Sequence, residues 1–408
     1  MASTQIALAS ILDNDLYKFT MQHCALQHYK DAQVVYQFTN REKELSLNQE
    51  AFNWLQEQIT SMESLVLTAD ERDYMASFPF FDQSYIDYLA KFRFRPQEQI
   101  HAQFDASTES LSLTIKGLWH ETILYEVPLL ALISEAYFRF VDRDWNYDGQ
   151  EERAKEKTRA LLTNGCHFSE FGTRRRRDFK THDIVFGAIH AEHQALLKED
   201  PEIKGGVTGT SNVHLAKKYS VKAIGTLAHE FFMAVSALEG IKHANRTTLK
   251  RWYETYHGNL GIALTDTFTT KVFLQDFNKD LADKYIAVRQ DSGDAIKFIT
   301  TIVDHYKSIG VDPSTKMIVF SDALDVKRAV QLVSLSEEAG IKASFGIGTS
   351  LTNDFKKASD PTKKSKPLNI VIKMSECNGK RVIKLSDDVL KNSADAETVR
   401  KFKEELGI

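Results

Sequence analysis

Cysteine is scarce in this chain, and its few cysteines lack the spacing that a metal site or a disulfide framework requires. Only Cys24, Cys166 and Cys377 occur among the 408 residues, far apart and without a C-x-x-C pair. An odd number of scattered cysteines argues against zinc and disulfides and is typical of a reducing compartment. We therefore expect a cytoplasmic protein.

Long apolar runs and an excess of one charge are also missing. No run approaches the roughly 20 apolar residues of a membrane-spanning helix, and the stretch before Asp13 lacks the basic start of a signal peptide. The formal net charge is only −4, so global electrostatics favour neither nucleic acid nor an anionic membrane. We expect a soluble protein that binds neither.

A repeated pattern is present in the second half of the chain. Short, largely apolar runs end there at residue types that do chemistry or hold phosphate, and the runs are Val221–Leu227, Gly261–Leu264, Lys284–Val288, Met317–Phe320 and Ile341–Phe345. Because most are followed by helix-like sequence, they predict βα units and a parallel sheet. In a parallel α/β barrel, the carboxyl ends of the strands line one mouth, where active sites lie.

The first 125 residues predict a different architecture. An opening helix, a strand and a mostly helical stretch are expected at Asp15–Gln27, Gln33–Thr39 and Asn48–Ala90. Alternating runs at Gln99–Phe104 and Leu111–Leu118 predict a half-exposed hairpin.

A buried helix over Tyr125–Phe140 leads into the barrel-like pattern. Near the other end of the chain, Asn378-Gly379 between alternating runs predicts a second hairpin. Since that hairpin is antiparallel in style, we expect it to leave the barrel and join the N-terminal sheet.

The length agrees with more than one domain, since 408 residues exceed the usual size of a single domain. We predict an α/β sandwich domain over residues 1–125 and a barrel over residues 126–366. The C-terminal segment, residues 367–408, is expected to return to the N-terminal domain.

The last strand-like run ends in a Gly-rich segment, Phe345–Ser350, which contains Gly346, Gly348 and Thr349. Glycines after a buried strand let backbone N–H groups approach an anion closely, and the Thr349 hydroxyl adds a donor. A tight turn without a ligand explains the same glycines equally well. The position at the final barrel strand favours the phosphate-binding interpretation.

The segment Arg289–Asp294 is more specific, because it brings a cation and two carboxylates to one strand end. An arginine binds a carboxylate or phosphate through two parallel hydrogen bonds. Asp291 is suited to bind ribose hydroxyls or to hold Mg²⁺ through water. The alternative is a solvated helix cap with an Arg–Asp surface pair.

Four consecutive arginines, Arg174–Arg177, follow Phe171. One interpretation is a basic patch for nucleic acid, and the other is a phosphate site with one or two arginines pointing inward. A lone run in an acidic chain is poor support for nucleic-acid binding. We expect at least two of the four to be solvated. Phe171 could stack on a planar ring, although core packing is commoner for phenylalanine.

His229 follows the first strand-like run and precedes Glu230. A lone histidine is more often structural than catalytic, but the strand-end position and Asp266 on the next run favour a working imidazole. Histidine can form a covalent phosphoryl intermediate as a nucleophile. A carboxylate on its other nitrogen would fix the tautomer.

Together these motifs resemble the nicotinate phosphoribosyltransferase family over residues 8–407. Seven segments in the family's order make the resemblance specific, and they are Asp15–Gln22, Glu170–Arg177, Gly209–Asn212, Gly225–Glu230, Thr265–Phe268, Arg289–Asp294, and Phe345–Thr349 with Leu351–Asp354. The resemblance implies an α/β fold of the type II phosphoribosyltransferase kind, which is an irregular (β/α) barrel with an α/β sandwich domain built from both chain termini.

The resemblance also implies a reaction. Nicotinate and phosphoribosyl pyrophosphate would give nicotinate mononucleotide and pyrophosphate, the first step of NAD salvage from nicotinate, with ATP hydrolysis through a phosphohistidine at His229. ATP and Mg²⁺ would enter as cosubstrate complexes, without a tightly bound cofactor or a direct protein ligand to a metal. A homodimer with shared active sites is implied, in which we expect Tyr17 to complete the partner's pocket.

Residue roles follow from the same resemblance. The catalytic residues would be His229, its partner Asp266, and Asp291 in the ribose–Mg²⁺ region. The nicotinate contacts map to Tyr17, Phe171, Thr226 and Arg289. The phosphoribosyl contacts map to Arg174, Asp322, Gly346, Gly348 and Thr349.

Three alternatives remain at this point. A sister enzyme with the same barrel would act on nicotinamide or quinolinate. A non-catalytic sensor of a phosphometabolite would keep the pocket without turnover. A nucleic-acid-binding role would depend on the four arginines.

Overall fold

The computed structural model describes residues 6–388 and 395–408. Its strands are β1 (Gln33–Asn40), β2 (Ile100–Asp105), β3 (Ser110–Leu118), β4 (His167–Glu170), β5 (Gly206–Thr210), β6 (Ile262–Leu264), β7 (Ala287–Gln290), β8 (Met317–Phe320), β9 (Lys342–Ile347), β10 (Phe355–Lys356), β11 (Lys364–Ser365), β12 (Ile370–Cys377) and β13 (Lys380–Arg381). Its helices are α1 (Leu16–His28), α2 (Gln49–Ser61), α3 (Ala69–Ala76), α4 (Gln83–Lys91), α5 (Pro96–Gln99), α6 (Trp119–Thr122), α7 (Glu126–Phe140), α8 (Gln150–Thr163), α9 (Phe179–Glu199), α10 (Val213–Lys218), α11 (His229–Glu239), α12 (Ala244–Tyr256), α13 (Thr270–Asp276), α14 (Lys279–Lys284), α15 (Ala295–Ser308), α16 (Val326–Glu338), α17 (Thr349–Thr352) and α18 (Ala396–Leu406).

An antiparallel sheet joins the two ends of the chain. Its strand order is β13-β12-β1-β3-β2, and the central strand β1 pairs Tyr36 with Ile115 on one side and with Met374 on the other. Tyr36 and Met374 are buried, as the inward face of a half-covered sheet requires. Both predicted hairpins form, and the C-terminal one lies in the same sheet as β1.

A parallel sheet of six strands forms the second unit, in the order β5-β4-β9-β8-β7-β6. Its strands are short and mostly buried, and Phe320 of β8 stacks on Phe345 of β9. Helices alternate with most of these strands along the chain, which is the connection that parallel strands need. The α/β fold class and the separate antiparallel domain agree with the sequence prediction.

Four of the five predicted runs contain strands, and one does not. Val221–Leu227 makes only an isolated parallel bridge, between Ala223 and Thr210. Its backbone packs against α1 instead, where Thr20 Oγ1 donates to Thr226 O at 2.9 Å. The Ala228 N–H likewise points to Met21 Sδ at 3.3 Å. The segment is therefore extended but not a regular strand.

Two further differences concern the strands of the barrel. The run predicted from Lys284 begins later, because α14 ends at Lys284 and β7 starts at Ala287. The strands β4 and β5 were not among the predicted runs. The loop after β4 carries the four arginines, and the loop after β5 carries Ser211.

Cys24, Cys166 and Cys377 are free and buried. Among the described residues, no helix is both long enough and apolar enough to span a membrane.

Candidate active site

The centre of the candidate site is the contact of His229 with two carboxylates. His229 Nε2 lies 2.8 Å from Asp266 Oδ1 and 3.5 Å from Asp291 Oδ2. His229 opens α11, Asp266 follows β6 and Asp291 follows β7. The carboxyl ends of β6 and β7 and the start of α11 thus bring together the three residues that the sequence assigned to catalysis.

Hydroxyl groups from neighbouring loops fix both carboxylates. Ser292 Oγ donates to Asp266 Oδ2 at 2.5 Å, and Ser321 Oγ donates to Asp291 Oδ1 at 2.7 Å. The loop that carries Asp291 and Ser292 turns at Gly293, whose φ of +78° suits glycine. It then enters α15 at Asp294, which accepts hydrogen bonds from two backbone N–H groups of the first turn.

A lysine completes this cluster, and the sequence analysis missed it. Lys384 Nζ lies 2.9 Å from Asp266 Oδ2 and 3.7 Å from Asp291 Oδ2, and its side chain is 8% exposed. The residue belongs to the segment after β13, which was expected to leave the barrel. No motif marks it, so only the folded chain reveals its position.

The electrostatics of the cluster favour a neutral imidazole between two ionised carboxylates. Burial lowers the pKa of His229 below its usual value and Lys384 lowers it further, against the opposing effect of Asp266 and Asp291. Burial raises the pKa of Asp266, but His229 and Lys384 outweigh it, so the pKa of Asp266 lies well below its usual range. The pKa of Asp291 is lowered in the same way, with Arg289 contributing.

The same three residues have the composition of a cation site. One ligand atom each from His229, Asp266 and Asp291 lie within 4.8 Å of one another. However, the Lys384 ammonium already neutralises these carboxylates at hydrogen-bond distance from Asp266. A second cation between the carboxylates would be repelled by it. The cluster therefore fits a lysine-neutralised pair better than a direct metal site.

Arg289 and Thr226 are two of the residues that the resemblance assigned to nicotinate. Arg289 is in β7, and its Nε is buried without an acceptor among the described residues. A buried guanidinium nitrogen without a partner is costly, and an anionic ligand would satisfy it. Thr226 is buried, with its carbonyl tied to α1.

Tyr17 lies beside the barrel of its own chain. Its backbone N would be 2.7 Å from a Cβ placed on Gly225, so α1 approaches this segment too closely for any residue but glycine. Arg174, Glu126 and Glu230 of the same chain are electrostatic neighbours of the Tyr17 hydroxyl. Tyr17 therefore lies close to the barrel segment and the charged groups of its own chain, and the expectation that it completes the partner's pocket stays a prediction.

A buried charge network lies behind His229. Lys18 is fully buried and forms ion pairs with Glu126 and Glu230. The other oxygen of Glu230 accepts hydrogen bonds from Tyr36 at 2.6 Å and from Trp119 at 2.7 Å. The network fixes the first turn of α11 against the N-terminal domain. Lys18 and Glu230 directly follow Tyr17 and His229 in the sequence, whereas no such signal marks Tyr36, Trp119 or Glu126.

The four arginines have four different surroundings. Arg176 is 1% exposed and binds Asp13 through two nitrogens at 2.6 Å each. Arg177 is fully buried among aromatic rings and donates to Asn353 Oδ1 at 2.9 Å. Arg175 reaches the backbone carbonyl of Ile370. The expectation that at least two are solvated is wrong, since these three are held by the fold.

Arg174 is the arginine that opens to the mouth. Its side chain is 47% exposed, and its Nη1 lies 3.8 Å from Glu126 Oε1. Because Arg176 and Arg177 are buried, the run does not form the exposed basic patch that nucleic-acid binding through it would need. Arg174 remains the candidate for a substrate contact.

The Gly-rich loop packs against the segment after β4. A Cβ on Gly348 would lie 2.7 Å from the Phe171 carbonyl oxygen, and one on Gly346 would lie 3.4 Å from the Phe171 ring. The Phe171 N–H also donates to Ile347 O at 2.8 Å. Gly348 is thus required by close packing whether or not it binds phosphate. Thr349 opens the short helix α17 beside it.

Further cations reach this side of the protein from the N-terminal sheet. Burial, together with the charges of Arg41 and Lys384, lowers the pKa of Lys373 in β12 to about 8. Asp322, in the loop after β8, is half-buried. Lys373 thus lies within electrostatic range of Lys384 and Asp291.

Comparison with known proteins identifies the family. Residues 166–408 match the model of the nicotinate phosphoribosyltransferase family, and residues 12–134 match the model of its N-terminal domain. The chain belongs to the nicotinate phosphoribosyltransferase family. The resemblance that the motifs indicated is confirmed over both domains.

Individual members of the family are similar over nearly the whole chain. A Schizosaccharomyces pombe protein named "Probable nicotinate phosphoribosyltransferase" is 48% identical, with 98% of each chain covered. The crystal structure of a Saccharomyces cerevisiae protein of the family has a TM-score of 0.94 at 42% identity, with 99% of each chain covered. The nicotinate phosphoribosyltransferase of Porphyromonas gingivalis has a TM-score of 0.89 at 35% identity, with coverage of 98% and 99%.

Proposed function

We propose that this chain catalyses the ATP-coupled transfer of a phosphoribosyl group from phosphoribosyl pyrophosphate to nicotinate, through a transient phosphohistidine at His229. The products would be nicotinate mononucleotide and pyrophosphate, the first step of NAD salvage from nicotinate. The names of the relatives support the substrates. The contact of His229 Nε2 with Asp266 is the observation that carries the phosphohistidine.

The phosphoryl step follows from the orientation of the imidazole. The neutral ring carries its proton on Nε2, and this N–H donates a hydrogen bond to Asp266 Oδ1. The lone pair of Nδ1 is therefore the nucleophile. A bond forms between Nδ1 and the γ-phosphorus of ATP, the bond from that phosphorus to the bridging oxygen breaks, and ADP leaves. The N-terminus of α11, where His229 lies, would stabilise the negative charge of the phosphoryl group on this residue.

The transfer step uses the rest of the mouth. Arg289 binds the nicotinate carboxylate, with Tyr17, Phe171 and Thr226 around the ring. The pyridine nitrogen attacks the anomeric carbon of the ribose, and the bond from that carbon to pyrophosphate breaks. The phosphoribosyl group is bound by the residues that the resemblance assigned to it, namely Arg174, Asp322, Gly346, Gly348 and Thr349.

Mg²⁺ accompanies the nucleotide and the pyrophosphate and supplies charge neutralisation to the leaving group. Oxygen ligands suit this ion, and Asp291 and Asp322 would hold its water ligands. Phosphorylation of His229 changes substrate affinity by linkage, and hydrolysis of the N–P bond then drives the cycle toward product.

A substrate panel tests the proposal against its rivals. Purified protein with phosphoribosyl pyrophosphate, Mg²⁺ and ATP is offered nicotinate, nicotinamide or quinolinate, and mononucleotide is measured. We expect turnover of nicotinate and at most traces with the other two. Preference for nicotinamide or quinolinate would identify a sister enzyme, and binding without turnover would identify a sensor.

A homodimer with shared active sites and a cytoplasmic location complete the proposal. The dimer is supported by the family resemblance, and the location by the three unpaired cysteines. Light scattering of the purified protein at assay concentration tests the dimer, and the mass of a single chain would contradict it.

A further inference from the structure

The C-terminal segment delivers a charged side chain to the centre of the candidate site. Lys384 follows β13 and reaches the two carboxylates that contact His229, with Nζ at 2.9 Å from Asp266 and 3.7 Å from Asp291. Its side chain is nearly excluded from solvent. A buried ammonium is costly unless it is paired, so its location beside these carboxylates is a specific feature of the fold.

The segment around Lys384 is anchored to the same loops that carry the carboxylates. The Leu385 N–H donates to Thr267 O at 2.8 Å. Ser386 Oγ donates to Ser292 Oγ at 2.9 Å, and the Asp387 N–H donates to the same oxygen at 3.1 Å. Because Ser292 also binds Asp266, the position of the segment is coupled to the position of that carboxylate.

We infer that Lys384 is a positioning residue, which holds Asp266 and Asp291 side by side as carboxylates and so keeps Asp266 bound to His229 for phosphoryl transfer. The inference rests on the proposed phosphohistidine and adds a residue to it. Lys384 contacts the carboxylate oxygens of Asp266 and Asp291, and it is through these oxygens that it would act on His229.

Asp266 and Asp291 place two like charges beside one imidazole. Carboxylates that share a site repel each other, and without a nearby cation one of them takes up a proton. A protonated or displaced Asp266 no longer accepts the Nε2 proton, so Nδ1 is no longer fixed as the nucleophile. Lys384 thus acts on the imidazole through Asp266, from outside the reaction path.

The experiment measures labelling of the intact protein by radioactive ATP in the presence of Mg²⁺. Lys384→Met should lower the labelling rate about tenfold, as expected for coupled residues of one network. Lys384→Arg should recover most of the rate because it keeps the charge. Lys384→Gln provides a second neutral variant that retains hydrogen bonding, in case methionine impairs folding.

Lys316→Met is the matched control. Lys316 is 8% exposed, and its Nζ donates to Tyr285 O at 3.0 Å, away from the carboxylates of the site. Removing this buried ammonium should lower thermal stability and leave the labelling rate per folded molecule unchanged. A general effect of losing a buried lysine is thereby separated from the specific one.

A double-mutant cycle tests whether Lys384 acts through Asp266. If it does, Lys384→Met combined with Asp266→Asn should label no more slowly than Asp266→Asn alone. Additive losses, or unchanged labelling in Lys384→Met and Lys384→Gln, would overturn the role of Lys384. If the wild-type protein accepts no label at all, both the phosphohistidine and the role of Lys384 are overturned. Normal labelling of the wild type with unchanged labelling of the Lys384 variants overturns only the role of Lys384.

Discussion

His229 Nε2 and Asp266 Oδ1 lie 2.8 Å apart, and this contact joins the first residue of α11 to the loop after β6. In the proposed mechanism this contact assigns the two ring nitrogens to different tasks, because the nitrogen that faces Asp266 would hold the proton and the other would react. Neighbouring residues hold both members of this pair in place. Lys384 and Ser292 hold the carboxylate, and Lys18 with Glu230 holds the helix.

The pH dependence of phosphorylation should reflect the lowered pKa of His229. Burial and Lys384 hold this pKa below the usual value of about 6.5, so the nucleophilic neutral imidazole persists as the pH falls. We expect the labelling rate to stay constant from pH 8 down to about 6.5 and to decline only below it. An acid limb centred clearly above that pH would contradict the assigned environment.

Arg289→Lys should impair nicotinate use far more than folding. An ammonium does not reproduce the two parallel hydrogen bonds of a guanidinium, so kcat/KM for nicotinate should fall about tenfold to a hundredfold. Arg72→Lys, at an exposed ion pair with Asp73, serves as the control and should have no effect. Steady-state kinetics measure kcat/KM for each variant, and a thermal melt measures its stability. An unchanged kcat/KM at normal stability would remove Arg289 from the nicotinate site.

Asp13→Asn should destabilise the protein without touching the reacting groups. The Asp13–Arg176 pair is fully buried, and loss of one partner leaves an uncompensated charge that costs about 3–5 kcal/mol. Urea unfolding measures the free energy of unfolding of Asp13→Asn. Arg72→Met, which breaks the exposed Arg72–Asp73 pair, is the control and should change this free energy little. Equal stability of Asp13→Asn and wild type would refute this description of the pair.

The same pair predicts an acid sensitivity. Burial raises the pKa of Asp13, but Arg176 outweighs burial and brings it to about 2, below the unfolded value of about 3.9. The stability that Asp13 contributes is therefore complete above pH 4 or so and is lost as the pH falls toward about 2. Asp13→Asn should show a smaller loss of stability than wild type across that interval.

Gly348→Ala and Gly346→Ala should behave differently although both lie in the Gly-rich loop. A methyl group on Gly348 would meet the Phe171 carbonyl at 2.7 Å, whereas on Gly346 it would meet the ring at an ordinary contact distance of 3.4 Å. Gly348→Ala should cost about 1–3 kcal/mol of stability and raise KM for phosphoribosyl pyrophosphate. Comparable melting temperatures for the two variants would show that packing does not select Gly348.

The sequence was informative wherever a residue's role follows from its position at a strand end. Asp266 and Asp291 converge because the parallel strands β6 and β7 direct their carboxyl ends to one mouth, and that follows from the βα pattern. His229 joins them from the start of α11, after an extended segment that is not a regular strand. The Asn378-Gly379 hairpin forms because a two-residue turn fixes its own register. Local rules were sufficient in these cases.

Residues that depend on distant partners could not be placed from the sequence. Arg176 and Arg177 are buried because Asp13 and a group of aromatic rings, far away in the chain, receive them. The Val221–Leu227 run has the composition of a strand, yet it forms only an isolated bridge with Thr210, and the Thr226 carbonyl accepts from the Thr20 side chain of α1. Lys384 reaches the site only because the C-terminal segment passes over the loops after β6 and β7.

The most direct test of the account is to map the phosphoryl group on protein incubated with ATP and Mg²⁺. The label should be acid-labile and base-stable, and it should map to Nδ1 of His229, because Nε2 is bound to Asp266. His229→Ala should abolish the label while retaining part of the phosphoribosyl transfer at saturating substrates. Label that persists in His229→Ala, or that maps to another residue of the wild-type protein, would contradict the central claim.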